Sequence, residues 1–340
     1  MKKIFCVLFF SSSIFASEIS WCIEPWFYAD NTEFFNPKYP PGRTILGNSL
    51  KTYIRFVLPG FQTFKAGGIV DLRYGDKNII LYPLLQYRVS FPLGFSFIFG
   101  NLELLPFYSD YVSSKIRHGL FRSIQSEELD YKRPEEYGFQ SLLQTGPLKY
   151  DFWINWNLIN TREHREWFDF GNNLFLKTRY SRFFVATYIS HHGGQLYHTG
   201  PVGENIVLSA GTEIFIEVKE PVFQSAGISY CFLADNDIPD RSNKNLSSTG
   251  YGHVAGVWLE IFNFKFFAEY FKGKNFIAEE GDPFYKTEKD YVSCSLEKNA
   301  KIAGITDFYF KLRTHFIEDN WEYEYKFGFK TKFSVPLKNS

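Results

Sequence analysis

The chain has 340 residues, 20% of them Phe, Tyr or Trp, and its 37 Lys and Arg balance 37 Asp and Glu. No basic excess points to nucleic acid, and a chain neither poor in apolar residues nor highly charged is not a disordered one. The 39 Phe and 22 Tyr against a single Met suit strands and membrane interfaces, where a ring can keep one end wet.

At the start, Lys2 and Lys3 precede the apolar run from Ile4 to Phe10, and small residues lead to Ala16. A basic n-region, a short apolar region and a small residue at the cut predict a signal peptide over residues 1–16. The mature chain, residues 17–340, then lies outside the cytoplasm. The run is too short for a membrane helix, which needs about 20 apolar residues. Beyond Cys6 the cysteines are Cys22, Cys231 and Cys294, with no C-x-x-C pair. That spacing predicts neither a disulfide framework nor a metal centre, and no cofactor is expected.

Past residue 16 the apolar period is two. In chain order it predicts strands over 19–28, 50–58, 64–74, 79–91, 93–99, 138–145, 148–158, 168–176, 183–189, 206–218, 225–233, 255–261, 264–270, 290–296, 302–312 and 321–333. The last is the clearest: Trp321, Tyr323, Tyr325, Phe327, Phe329 and Phe333 share one parity, and Glu322, Glu324, Lys326, Lys330 and Lys332 the other. Successive side chains of a strand face opposite ways, so each such strand has one apolar and one polar face. The links alternate in length. Short ones lie near Pro59-Gly60, Pro92-Gly94, Thr145-Pro147, Tyr180-Ser181, 219–221, Phe262-Asn263 and Lys298-Ala300. Long ones fall near 29–48, 105–137, 159–165, 191–204, 234–250 and 272–286. Alternating loops, an even strand number and apolar-out strands of about ten residues predict an all-β, closed antiparallel transmembrane β-barrel of about sixteen strands. Fourteen to eighteen strands fit the pattern. Lipid demands closure, because an open edge would leave backbone groups unpaired.

The stretches Trp26–Phe35, Thr44–Gly47, Arg133–Gln140, Asp151–Trp156 and His192–Gln195 resemble bacterial outer-membrane β-barrels of the porin-like type. More narrowly they are similar to a group known mainly as predicted outer-membrane proteins. The resemblance implies an outer-membrane address, lipid as a partner and, by analogy with general porins, a homotrimer. One departure is the ending: Phe333 is followed by seven further residues, where many such barrels end on an aromatic.

Assigning the polar parity to the lumen gives a basic wall of Lys51, Arg55, Lys65, Arg73 and Arg88. An acidic wall of Glu213, Glu217, Glu260 and Glu269 faces it, and Tyr53, Trp153 and Trp258 also point inward. Opposed walls create a transverse field that tunes passage. The loop 105–137 is too long for an idle connection, and it carries Arg117, His118, Arg133, Glu135 and Glu136. It is expected to constrict the lumen or cover its mouth. All seven histidines fall toward the long loops; His191, His192 and His198 are the candidates for metal or acid sensing.

A hydrolase would need a nucleophile or activated water beside a histidine. Ser190 beside His191, and Asp235 and Asp237 near His253, supply residue types without a motif. No GxSxG, HExxH or phosphate-loop stretch occurs. The expected function is therefore non-enzymatic: an outer-membrane porin passing small polar solutes. A surface-binding or structural barrel and a barrel-borne hydrolase are the alternatives.

Overall fold

The computed structural model describes residues 16–35, 42–104, 117–218, 220, 222–286 and 290–338. The expected signal segment, apart from Ala16, and residues 105–116 of the long loop lie outside the described residues.

Seventeen strands form one antiparallel sheet that closes on itself. They are β1 (Glu18–Glu33), β2 (Arg43–Leu58), β3 (Gln62–Arg73), β4 (Ile79–Phe91), β5 (Phe95–Asn101), β6 (Tyr137–Thr145), β7 (Leu148–Leu158), β8 (Glu166–Lys177) and β9 (Ser181–Gly193). The ring continues with β10 (Gly203–Glu217), β11 (Phe223–Ile238), β12 (Ser248–Ile261), β13 (Phe264–Lys274), β14 (Tyr291–Ile302), β15 (Thr306–Ile317), β16 (Asn320–Thr331) and β17 (Phe333–Lys338).

From β1 to β16 each strand pairs with its sequence neighbours, and β1 closes the ring against both β16 and β17. β16 covers Trp26–Glu33 and β17 covers Ile19–Ile23, so the two are halves of one stave. The ladder lapses opposite Glu24 and Pro25, where proline has no N–H to donate. Counted by staves, this is a closed barrel of sixteen strands.

Outward positions are apolar and exposed, among them Leu81, Val185, Ile214, Val257 and Phe266. Among the described residues no helix is long and apolar enough to cross a membrane, as befits a chain that crosses with strands. Most of the tight turns gather at one rim, where Phe262 and Asn263 both take positive φ, the backbone of a two-residue hairpin; Glu318-Asp319 makes the same turn at the other rim. The longer loops gather at the other rim.

The core lies inside the barrel. Leu120, Phe121 and Ile124 from the long loop, and Phe276, Phe284 and Tyr285 from the loop before β14, pack against Trp153, Phe184, Val207, Leu233 and Tyr291 of the wall. Gly171 makes room for this packing: a Cβ there would come within 2.3 Å of the Trp153 indole. Gly171→Val is therefore expected to displace Trp153 and cost about 1–3 kcal/mol, the usual range for overpacking. Denaturant unfolding in micelles checks this, and a midpoint equal to wild type would refute it.

Candidate functional site

Residues 117–136 fold into the lumen and bind the wall on nearly every side. They include a single helical turn, α1 (Leu129–Lys132). Arg117 pairs with Asp130 at 3.0 Å and Glu136 at 3.3 Å. His118 lies between two carboxylates, Nδ1 at 2.7 Å from Asp151 and Nε2 at 2.8 Å from Glu136. Its ring stacks on Trp153 with centroids 3.9 Å apart. Burial works against a charged imidazole, but Asp151 and Glu136 outweigh it and raise the pKa to about 9. Burial likewise works against the Glu136 carboxylate, yet His118 and Arg117 bring its pKa to about 2. With both nitrogens turned to carboxylates, this histidine is a charged clamp and has no lone pair left to act as a base.

Farther along, Glu127 sits among four cations. Lys311 lies at 2.7 Å, Arg313 and Lys326 each at 3.0 Å, and Arg122 at 3.7 Å. Arg122 also pairs with Asp282. Glu128 meets Arg43 at 3.0 Å. Arg133 stacks on Trp167 at 4.4 Å and pairs with Glu280 at 2.5 Å. Glu135 reaches Lys51 at 2.9 Å, and Arg73 donates to the Tyr131 carbonyl. The expected constriction residues are thus all tied into the lumen or its wall.

Between this segment and the wall, at the long-loop rim, lies a small cleft, partly open to solvent. Thr32 and Phe34 at the end of β1, Arg43 of β2, Arg122, Glu127 and Glu128 of the infolded segment, Asp282, and Glu324 and Lys326 of β16 line it. Behind Phe34 and Glu324 sits His315, fully buried. Its Nδ1 shares a hydrogen bond with Tyr291 Oη at 2.7 Å. Its Nε2 has no hydrogen-bond partner, the nearest carboxylate being Glu324 at 3.9 Å. Phe284 stacks on the ring at 4.3 Å and Phe34 meets it edge-on at 5.5 Å. The site therefore offers a fixed imidazole with one free nitrogen beside a cleft that carries both signs of charge.

The other sequence candidates are dispersed. Lys51, Arg55, Lys65, Arg73 and Arg88 share the inner parity of β2–β4. Beyond the pairs above, Arg55 meets Glu18, Arg73 meets Asp71 at 3.2 Å and Arg88 meets Glu103 at 2.9 Å. Glu213 pairs with Arg182 at 2.8 Å, Glu217 with Lys177 at 3.4 Å, and Glu260 accepts from Ser225. Tyr285 donates to Glu269. Tyr53 donates to Glu24, and Trp258 packs with Phe215 and Phe267.

The three loop histidines take separate partners: His191 with Glu204, His192 with Glu279, and His198 with the Thr161 carbonyl. Among the described residues no group of three or more His, Cys, Asp and Glu side chains could hold a metal. Ser190 accepts from Trp167 while His191 turns to Glu204. His253 bonds Tyr230 on the opposite strand face from Asp235. Neither sequence pair makes a hydrolytic dyad.

Sequence reasoning did not find the cleft or single out His315. The available signal was parity, since His315 shares its strand face with Lys311 and Arg313, together with the Trp26–Phe35 stretch that carries Thr32 and Phe34.

In overall shape the barrel is similar to an anion-selective porin from Comamonas acidovorans (TM-score 0.59, 10% identity, 93% of this chain and 100% of that one). It is also similar to a loop-deletion mutant of OmpT, an outer membrane protein of Vibrio cholerae (0.56, 9%, 93% and 99%). OmpF of Salmonella typhi, in complex with daunomycin, is a third (0.54, 9%, 93% and 98%). These likenesses establish a porin-like barrel fold. No curated protein matches the chain. The family model described as lipid A 3'-O-deacylase-type matches residues 12–340, and it corrects the expectation of a chain that is not an enzyme. The expectation failed for a physical reason: it sought chemistry in a local motif, whereas strands bring distant residues together across a lumen.

Proposed function

Since the chain belongs to the lipid A 3'-O-deacylase-type family, we propose that it hydrolyses an acyl ester of an outer-leaflet glycolipid at the long-loop cleft. The observation that carries the reading is His315, whose unengaged Nε2 stands behind Phe34 and Glu324. Tyr291 fixes the ring through Nδ1; Nε2 is buried behind Phe34, and on the proposed path Phe34 moves aside so that water reaches Nε2, which takes its proton as general base. That water attacks the ester carbonyl. The tetrahedral intermediate then expels the sugar oxygen, which regains the proton from His315, and a free fatty acid leaves. Lys326 and Arg43, both lining the cleft, favour the developing oxyanion and the anionic head group. The partner this requires is outer-membrane lipid itself. The dense packing of residues 117–126 inside the barrel supports catalysis at the rim over passive passage of solutes.

Purified protein in mixed micelles with lipid A is expected to release fatty acid, followed by mass spectrometry. His315→Gln should slow release at least about 100-fold, the usual worth of a general base, while the barrel keeps its heat-modifiable migration on gels. Absence of release from wild type, together with stepwise conductance in planar bilayers, would overturn the proposal.

A further inference from the structure

We propose that the short-turn half of the lumen, along β2–β4, holds a site for a small multivalent oxyanion such as inorganic phosphate. It is built on Lys51, Arg55, Lys65 and Arg88. The strand register carries the argument. Arg55 stands directly opposite Lys65 in the β2–β3 pair. In the β3–β4 pair Thr63 faces Arg88 while Lys65 faces Gln86, which makes Arg88 the diagonal neighbour of Lys65. Lys51 lies on the same face of β2, four residues from Arg55. Like charges directly opposite each other destabilise a sheet, so this inner face accumulates cations against its own stability.

Three of the four have a carboxylate. Lys51 meets Glu135 at 2.9 Å, Arg55 meets Glu18, and Arg88 meets Glu103 at 2.9 and 3.1 Å. Lys65 differs. No carboxylate of the described residues lies within ion-pair distance of it, and its ammonium instead lies 5.8 Å from the centre of the Tyr53 ring. Water reaches the cluster, since the side chains of Lys51, Arg55 and Arg88 remain 31%, 37% and 33% exposed. An oxyanion beside Lys65 would complete its charge, and the two guanidinium groups offer planar forks that suit phosphate. The site lies on the inner wall and away from the long-loop cleft, so the ligand assigned to it is a free anion in the lumen rather than a lipid head group. Its existence is independent of the esterase reading.

Calorimetric titration of the full chain, in micelles of a zwitterionic detergent, with inorganic phosphate tests the assignment. Wild type should bind saturably, Lys65→Gln at least 10-fold more weakly, Lys65→Arg nearly as wild type, and Lys272→Gln, an exposed cation of β13 paired with Asp290, unchanged. Dimyristoyl phosphatidic acid added to the micelles should not compete. Non-saturable binding to wild type, equal binding to Lys65→Gln, or displacement by the phosphatidic acid would overturn it. Gel heat-modifiability confirms that each variant has closed its barrel.

Discussion

Glu127→Gln turns a quiet barrel into a conducting one. The carboxylate it removes is shared by Lys311, Arg313, Lys326 and Arg122, all buried or nearly so. Burial alone would raise the Glu127 pKa; Arg313, Lys311 and Lys326 together hold it well below the ordinary carboxylate value. A neutral amide leaves those cations facing one another without their shared counter-ion. Removing one partner from a buried ionic group costs about 3–5 kcal/mol, chiefly through the charge left behind. The strain falls on the contact that fixes the infolded segment to β15 and β16, so the segment should detach there while the outer wall, held by its ladders, stays closed. Planar-bilayer recordings are expected to show current steps for Glu127→Gln and none for wild type. A lowered folded-state pKa contributes stability above the unfolded value of about 4.5, and that contribution disappears as pH falls below it. Wild type should accordingly begin to conduct on acidification, and a variant as quiet as wild type at every pH would sink the assignment.

His118→Ala should be as damaging at the opposite wall. The substitution leaves Asp151 and Glu136, each within 2.8 Å of the lost ring, without the cation they share, and removes the plane that stacks on Trp153. A folded pKa of about 9 against an unfolded 6.5 corresponds to roughly 3 kcal/mol. Because this pKa is raised by folding, the contribution is complete below about 6.5 and fades as pH climbs through 9. Glu136, lowered from 4.5 to about 2, contributes above 4.5 and fades below it. Limited proteolysis of residues 117–136 is expected to accelerate in wild type above pH 9, and to be fast in His118→Ala already at pH 6. Equal cleavage rates for the two proteins at pH 6 would count decisively against the clamp.

The wall was legible because alternation acts locally. Ile79–Phe91 and Leu148–Leu158 are bounded in the structure as their alternation marks them. Other strands run farther toward the long-loop rim: alternation ends at Leu233 and begins at Ala255, whereas β11 continues to Ile238 and β12 starts at Ser248. Above the hydrocarbon the outward face no longer has to be apolar, so the period fades while the ladder persists. The cleft was less legible. Thr32, Arg43, Glu127, Asp282, Glu324 and Lys326 come from separate parts of the chain, and periodicity tells which way a side chain points without naming what stands opposite. The opposed charged walls illustrate the same gap, since parity placed Lys51 and Arg88 inside but could not anticipate Glu135 on the infolded segment and Glu103 just past β5 meeting them.

Thr32 and Phe34 come from the first stave, Arg43 from the second, and Glu324 and Lys326 from the last. The two sides of that crevice therefore belong to opposite ends of the polypeptide, brought together only when β1 joins β16. A half-inserted chain possesses neither the crevice nor its imidazole in place, so membrane assembly doubles as a safety catch: chemistry against lipid begins only once the ring that withstands it is whole.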